Sequence, residues 1–192
     1  HTIDNVLERA ELRRQNERYH RQLEENLRKI KEDERAGKKV QMRLLPPEQC
    51  VFGPYTISRE LISSMELSGD FVDYFALDGD HIGFYSADVS GHGVSSALVT
   101  VILKTFFRKY QERYLNGADN AVLNPGIVLE RLNAALLDED LEKHVTMFYG
   151  VLTISRNVLR FANGGQFPSP FLWSGHGFEL LQESGTAVGL FP

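Results

Sequence analysis

The chain has 192 residues, is 42% hydrophobic and carries a formal net charge of −5. That length admits one domain with an appendage or two small domains, with enough apolar residues for a real core. Residues 1–45 hold 12 of the 21 Lys and Arg and 9 of the 26 Asp and Glu, a net +3, and residues 46–192 carry −8, an acidic balance that argues against general nucleic-acid binding and suits a site that gathers cations.

Residues 4–45 read as one long helix, with Asp4 as its N-cap and Pro46-Pro47 ending the pattern. Glu, Arg, Lys, Leu and Gln dominate it, all good helix formers. Val6, Leu23, Leu27 and Ile30 fit a heptad seam that also holds Arg13, Asn16 and His20. At 1.5 Å per residue the helix spans roughly 60 Å, too long to fold back as core. A parallel coiled-coil dimer stalk and a solvated charged helix both fit, and the apolar cluster at 23–30 favours the dimer. Gly37 is a possible break. Leu44 and Leu45 anchor the stalk to a globular part, so the expected division is residues 1–45 and residues 46–192.

Strands are expected over residues 55–62, 70–77 and 81–88. Asp78-Gly79-Asp80 joins the last two, and Asp-Gly is a strong tight-hairpin signal. The hairpin brings Asp70, which begins one strand, beside Asp88, which ends the other. Gly91 and Gly93 bracket His92 before a helix from about Val94 to Tyr114, with Leu98, Ile102, Thr105, Phe106 and Lys109 on its inner face, widened by Val101 and Phe107. Pro125 opens a second helix to about Leu137, with Val128, Leu132, Ala135 and Leu136 inward. Strands follow over residues 146–154, 159–162, 170–173 and 178–181. Strands, then helices, then strands with tight turns make an α+β layered plan.

Asp70 and Asp88 are the main candidates for chemistry. Carboxylates at strand ends beside a Gly-rich turn suit Mg²⁺ or Mn²⁺, which take oxygen ligands and complete their shell with water. Val89 can add its backbone carbonyl. The alternative is that both carboxylates make local hydrogen bonds. Asp73 shares a strand face with Phe71, Phe75 and Leu77, which favours a structural role. His92 either donates a proton to a leaving group or fixes the turn through a hydrogen bond. Asp78 and Asp80 read as turn residues. His81, His144 and His176 lack metal-ligand spacing, and there is no nucleophile elbow and no phosphate loop. Cys50 is the only cysteine, so no internal disulfide forms and a reducing, cytoplasmic setting is expected. No apolar run reaches the ~18 residues of a membrane span, and no signal-peptide pattern opens the chain.

These residues resemble a known family. Asp70-Phe71-Val72-Asp73 is similar to the G-G-D-F-Y-D motif of the SpoIIE/RsbU-type phosphatases, bacterial members of the metal-dependent PPM protein serine/threonine phosphatases. Asp88-Val89-Ser90-Gly91-His92-Gly93 matches their D-V-S-G-H-G motif at every position. Ala36, Gln41 and Leu44-Leu45-Pro46 match A-x-x-x-x-Q-x-x-L-L-P, and Thr146-Met147-Phe148-Tyr149 and Asn163-Gly164-Gly165 match later strands less tightly. The resemblance covers about residues 36–192. It implies an αββα sandwich of two antiparallel sheets flanked by helices, and two Mn²⁺ or Mg²⁺ ions bound through Asp70, Asp88 and the carbonyl of Val89. It also implies hydrolysis of phosphoserine or phosphothreonine on a protein, usually a STAS-type anti-sigma factor antagonist. A coiled coil in such proteins often leads from a response-regulator receiver domain, a layout also similar to RssB-like response regulators. The homodimer stalk read from the heptad seam of the N-terminal helix fits that layout.

Ser68 departs from the motif by replacing its first Gly, and Gln166 stands where the family often has His. Further Asp ligands, in a D-G motif and near the family's C-terminus, would follow Gly189-Leu190-Phe191-Pro192. A C-terminally truncated phosphatase domain with weak metal occupancy is therefore expected. The competing expectation is a catalytically silent adaptor that binds a sigma factor or another partner of the anti-sigma pathway.

Overall fold

The computed structural model describes residues 2–62 and 67–192, without the side chains of residues 2–7 and 10. Helix α1 (Thr2–Leu44) leads into a hairpin of β1 (Gln49–Phe52) and β2 (Tyr55–Ser58). Strands β3 (Asp70–Ala76) and β4 (His81–Val89) precede helix α2 (Val94–Leu115) and helix α3 (Pro125–Asp138). Strands β5 (Val145–Thr153) and β6 (Val158–Gly164) complete a four-stranded antiparallel sheet in the order β3-β4-β5-β6. A final hairpin pairs β7 (Phe171–Trp173) with β8 (Phe178–Leu180). The protein is thus α+β, a long N-terminal helix followed by antiparallel sheets and helices.

The sheet's two faces follow from strand alternation. Phe71, Tyr85, Ala87, Val89, Met147, Tyr149 and Val151 point to one face and are buried there. Helix α2 covers β3 and β4 on that side, and α3 covers β5 and β6. Tyr85, Phe107 and Tyr149 stack through the middle, with ring centroids 4.2 and 4.9 Å from Phe107. The other face carries Val72, Tyr74, Phe84, Phe148 and Phe161; Phe52 of β1 meets Tyr74 edge-on.

Several expectations change. Helix α1 already runs at Thr2, so Asp4 lies inside it and is not its cap. Of the expected seam, Val6 falls outside the described side chains, and Leu23, Leu27 and Ile30 are exposed. Gly37 does not break the helix; it lets Leu67 approach, since a Cβ there would meet Leu67 at 3.3 Å. The last turns of α1 are locked onto the globular part. Buried Gln41 donates to the Ser68 carbonyl at 2.7 Å and to Thr100 Oγ1 at 3.1 Å. The strand expected over 55–62 ends at Ser58, and its partner β1 was not foreseen.

Helix α2 turns only part of the expected face inward: Phe107 is buried and Ile102 and Phe106 pack against the core, but the centre of the buried face is shifted. Ser96, Ala97, Val99, Thr100, Leu103 and Phe107 are buried, whereas Leu98, Thr105 and Lys109 are exposed. Apolar residues lie almost all round this helix, so periodicity alone did not select a face. Small residues were chosen where the helix meets α1 and the loop after β4. Helix α3 behaves more nearly as expected: Val128, Leu132 and Leu136 are buried, with Leu129 in place of Ala135. Its N-cap Asn124 accepts from the Ile127 N–H at 3.4 Å.

The β3–β4 turn is tied more firmly than an ordinary tight turn. Asp78 accepts from the backbone N–H groups of Asp80 and His81, both at 2.7 Å, from the His81 ring, and from the Tyr114 hydroxyl on α2. Burial raises the Asp78 pKa, but these bonds outweigh it and hold the carboxyl at about 2. Asp80 in turn accepts from Ser155 N–H and Oγ, both at 2.7 Å. A depressed folded-state pKa means that Asp78 stabilises the fold fully above its unfolded value near 3.8 and loses that contribution as pH falls towards 2. The Asp78→Asn chain should therefore show a lower urea midpoint at pH 7 and a smaller further loss between pH 4 and 2. Parallel pH profiles for the two chains would refute this account.

Candidate metal centre

The pairing of β3 and β4 places Asp70 directly opposite Asp88, with Phe71 opposite Ala87 and Tyr74 opposite Phe84. The register follows from the hairpin turn, and it puts both carboxylates on the sheet face away from the helices. Both residues are exposed. Directly opposed like charges repel at this spacing. Burial first, and then the charge of Asp70, push the Asp88 carboxyl above its ordinary value.

The two carboxylates are not equivalent. Ser68 Oγ donates to Asp70 Oδ2 at 3.1 Å, and the Asp70 N–H donates back to Ser68 Oγ at 3.1 Å. The residue that departs from the motif therefore orients a candidate ligand. The Asp88 side chain makes no hydrogen bond among the described residues. Local hydrogen bonding thus accounts for Asp70 in part and for Asp88 not at all.

The Val89 carbonyl lies beside them. The Val89 N–H donates to the Gly69 carbonyl at 3.2 Å. A Cβ built on Gly69 would stand 2.5 Å from the Val89 oxygen, so only glycine fits beside that oxygen. Two carboxylates and a backbone carbonyl form an all-oxygen donor set that fits Mg²⁺ or Mn²⁺. Among the described residues no group of three or more His, Cys, Asp or Glu is placed to hold a metal ion.

The other candidates separate from this centre. Asp73 sits on the opposite face, paired with Tyr85 in register. It is buried and forms an ion pair with Lys104 of α2 at 2.7 Å, a partner that the sequence did not reveal. His92 is exposed and makes no hydrogen bond among the described residues, so it does not fix the turn. Lys143, Ser90 and Ser96 do that instead. The Ser90 carbonyl accepts from Ser96 Oγ at 3.0 Å and from Lys143 Nζ at 3.1 Å. Neither Lys143 nor Ser96 carried a sequence signal, because each becomes informative only once β5 lies beside β4. Cys50 is a half-buried free thiol in β1. Among the described residues no helix is long and apolar enough to cross a membrane.

Residues 78–192, well over half of the chain, match the family described as stage II sporulation protein E (SpoIIE); Asp88 and Val89 lie inside the match and Asp70 just before it. The chain is 29% identical over 134 residues to phosphoserine phosphatase RsbP of Bacillus subtilis, covering 67% of this chain and 31% of that protein. It is 25% identical over 177 residues to protein IcfG of Synechocystis, covering 81% of this chain and 28% of that protein. It therefore spans about a third of the length of these curated relatives. Among solved structures, the SiaA-PP2C domain of Pseudomonas aeruginosa superposes with a TM-score of 0.65 at 18% identity, covering 85% of this chain and 64% of that one. The RsbU and RsbW domains of Rv1364c from Mycobacterium tuberculosis give 0.52 at 22% identity, covering 67% of this chain and 34% of that one. These two likenesses concern the fold. With the family match extending from the β3–β4 turn to Pro192, the chain belongs to the SpoIIE family of phosphatase domains.

Proposed function

We propose that this chain is a metal-dependent serine/threonine phosphatase domain, with Asp70, Asp88 and the Val89 carbonyl holding Mn²⁺ or Mg²⁺. The observation that carries this reading is the in-register opposition of Asp70 and Asp88, with Val89 next to Asp88, in a chain of the SpoIIE family. When bound, such ions supply a water deprotonated near neutral pH for attack on phosphorus. The chain's own contribution is placement: Ser68 orients Asp70, and Gly69 leaves room for the Val89 oxygen.

The substrate we assign is a phosphoserine or phosphothreonine protein, of the STAS-type anti-sigma factor antagonist class. Similarity to a protein named phosphoserine phosphatase supports the chemistry. Residues 46–192 form the catalytic domain and residues 1–45 the stalk that connects it to a receiver domain. The exposed Leu23, Leu27 and Ile30 support a coiled-coil homodimer through α1. The four-stranded sheet is one layer of an αββα sandwich, and the aromatic row Phe84, Phe148 and Phe161 is the face on which a second sheet packs.

The shortage of ligand side chains favours a second reading, a silent adaptor that binds a partner of the same pathway. Phosphate release from a phosphoserine peptide by residues 1–192 separates the two. The enzyme reading expects slow, Mn²⁺-dependent release that EDTA abolishes. Release no faster than with Mn²⁺ alone would count against the enzyme reading, and binding to an anti-sigma pathway protein without turnover would establish the adaptor.

A further inference from the structure

The turn after β4 is held by a residue distant in sequence, from the segment that leads into β5. Ser90 makes two bonds with the backbone of His144, just before β5: its N–H donates to the His144 carbonyl at 2.9 Å, and its Oγ accepts from the His144 N–H at 3.1 Å. Its carbonyl has two lone pairs, and both are used, one by Ser96 Oγ and one by Lys143 Nζ. The ammonium also lies 3.4 Å from Ser96 Oγ, which links the start of α2 to the same point.

These bonds bear on the oxygen beside the two carboxylates. The Val89 carbonyl and the Ser90 N–H share one planar trans peptide and point in opposite directions. With the N–H held on His144, just before β5, the Val89 oxygen is turned towards β3, where a Cβ on Gly69 would block it. The next peptide plane, which carries the Ser90 carbonyl, is held by Lys143 and Ser96. Gly91 fits the same arrangement: its φ is 81°, and a Cβ there would stand 2.8 Å from Lys143 Nζ. The strut is anchored at its base as well. Val145 and Val188 exchange backbone bonds at 2.8 Å, and the Gly189 N–H donates to Asn133 of α3 at 2.7 Å.

We propose that Lys143 is a positioning residue for the cation site: its ammonium pins the Ser90 carbonyl and so holds the Val89 oxygen towards Asp70 and Asp88. The assignment rests on the metal reading of those two residues. A charge-assisted bond to a carbonyl is stronger than a neutral one, and a ligand left to swing loses affinity. The side chain touches neither candidate carboxylate in any bond of the structure, so its effect passes through the backbone.

The test uses the full chain, Mn²⁺ alone as probe, and the variants Lys143→Met and Lys143→Arg. Calorimetric titration reads Mn²⁺ affinity, and amide hydrogen exchange reads Ser90, with Phe71 and Tyr149 as internal controls. Lys143→Met should lower Mn²⁺ affinity about tenfold, in the range for residues that orient metal ligands. It should also speed exchange at Ser90 at least about tenfold while leaving the two controls unchanged, a local opening. Lys143→Arg keeps a donor and a charge and should recover most of both. Wild-type affinity in Lys143→Met overturns the proposal, as does equal acceleration at Ser90, Phe71 and Tyr149, which would mark general loss of stability. A wild-type chain that binds no Mn²⁺ at millimolar concentration overturns the metal reading of Asp70 and Asp88 themselves. In that case faster exchange at Ser90 in Lys143→Met would still identify the strut but remove its role at a cation.

Discussion

Asp88→Asn should reduce Mn²⁺-dependent turnover by at least about a hundredfold while leaving stability within about 0.5 kcal/mol of the wild type. The two halves of this expectation have one cause. Asp88 faces Asp70 across the ladder, its side chain forms no hydrogen bond among the described residues, and burial and the neighbouring charge raise its pKa. Such a carboxylate contributes little to the apo fold and relieves repulsion when it is neutralised, so the melting temperature should hold or rise slightly. An Asn retains the shape and one oxygen but not the charge that a hard cation requires. Phosphoserine-peptide hydrolysis and a thermal melt on the same preparations read both quantities. A variant that stays active, or one that melts well below the wild type, would return Asp88 to an ordinary structural role.

Lys104→Met should cost about 3 kcal/mol at pH 7, because it strands a buried carboxylate. The side chain of Asp73 is 2% exposed, and its ion pair with Lys104 joins β3 to α2 across the core. Its other support is the Tyr74 N–H at 3.0 Å; the Tyr85 hydroxyl beside it is buried without a hydrogen bond of good geometry. Burial raises the Asp73 pKa even with the ammonium present, and the ion pair pulls it back only in part. Without Lys104 the folded-state pKa rises further. For a carboxyl raised above its unfolded value, the native state binds the extra proton, so its contribution is full at low pH and is lost as pH rises through the folded pKa. The penalty of Lys104→Met should therefore shrink as pH is lowered from 7 towards 4. Urea unfolding of both chains across that range provides the check, and a penalty independent of pH would contradict the buried-charge account. Adding Asp73→Asn to Lys104→Met should recover part of the loss, since the stranded charge is then gone.

These expectations draw on different levels of the molecule. The β3–β4 hairpin and the Asp70–Asp88 pair were legible in the sequence, because a tight Asp-Gly turn fixes register and register fixes which residues face each other. The opposite face of Asp73 followed from strand alternation. Helix α2 was legible as a helix, but its inner face only in part. With Leu98, Val101 and Ile102 competing with Val99 and Leu103, amphipathicity gives no unique answer, and Ser96 and Thr100 look like surface residues until their partners are known.

The chain's amino acids alone thus determined the local elements, the carboxylate pair and the family motifs, all of which depend on short-range spacing. The tertiary structure decided what those elements lean on. Gln41 reaches Ser68 across 27 residues, Lys104 reaches Asp73 across 31, and Lys143 reaches Ser90 across 53. A long polar side chain carries no mark of its distant partner, because a solvated lysine and a buried strut share one chemistry and differ only in what folding places at the end of the chain. Around the two carboxylates, that placement made Ser68 an orienting group, Gly69 an opening for the Val89 oxygen, and Lys143 a brace.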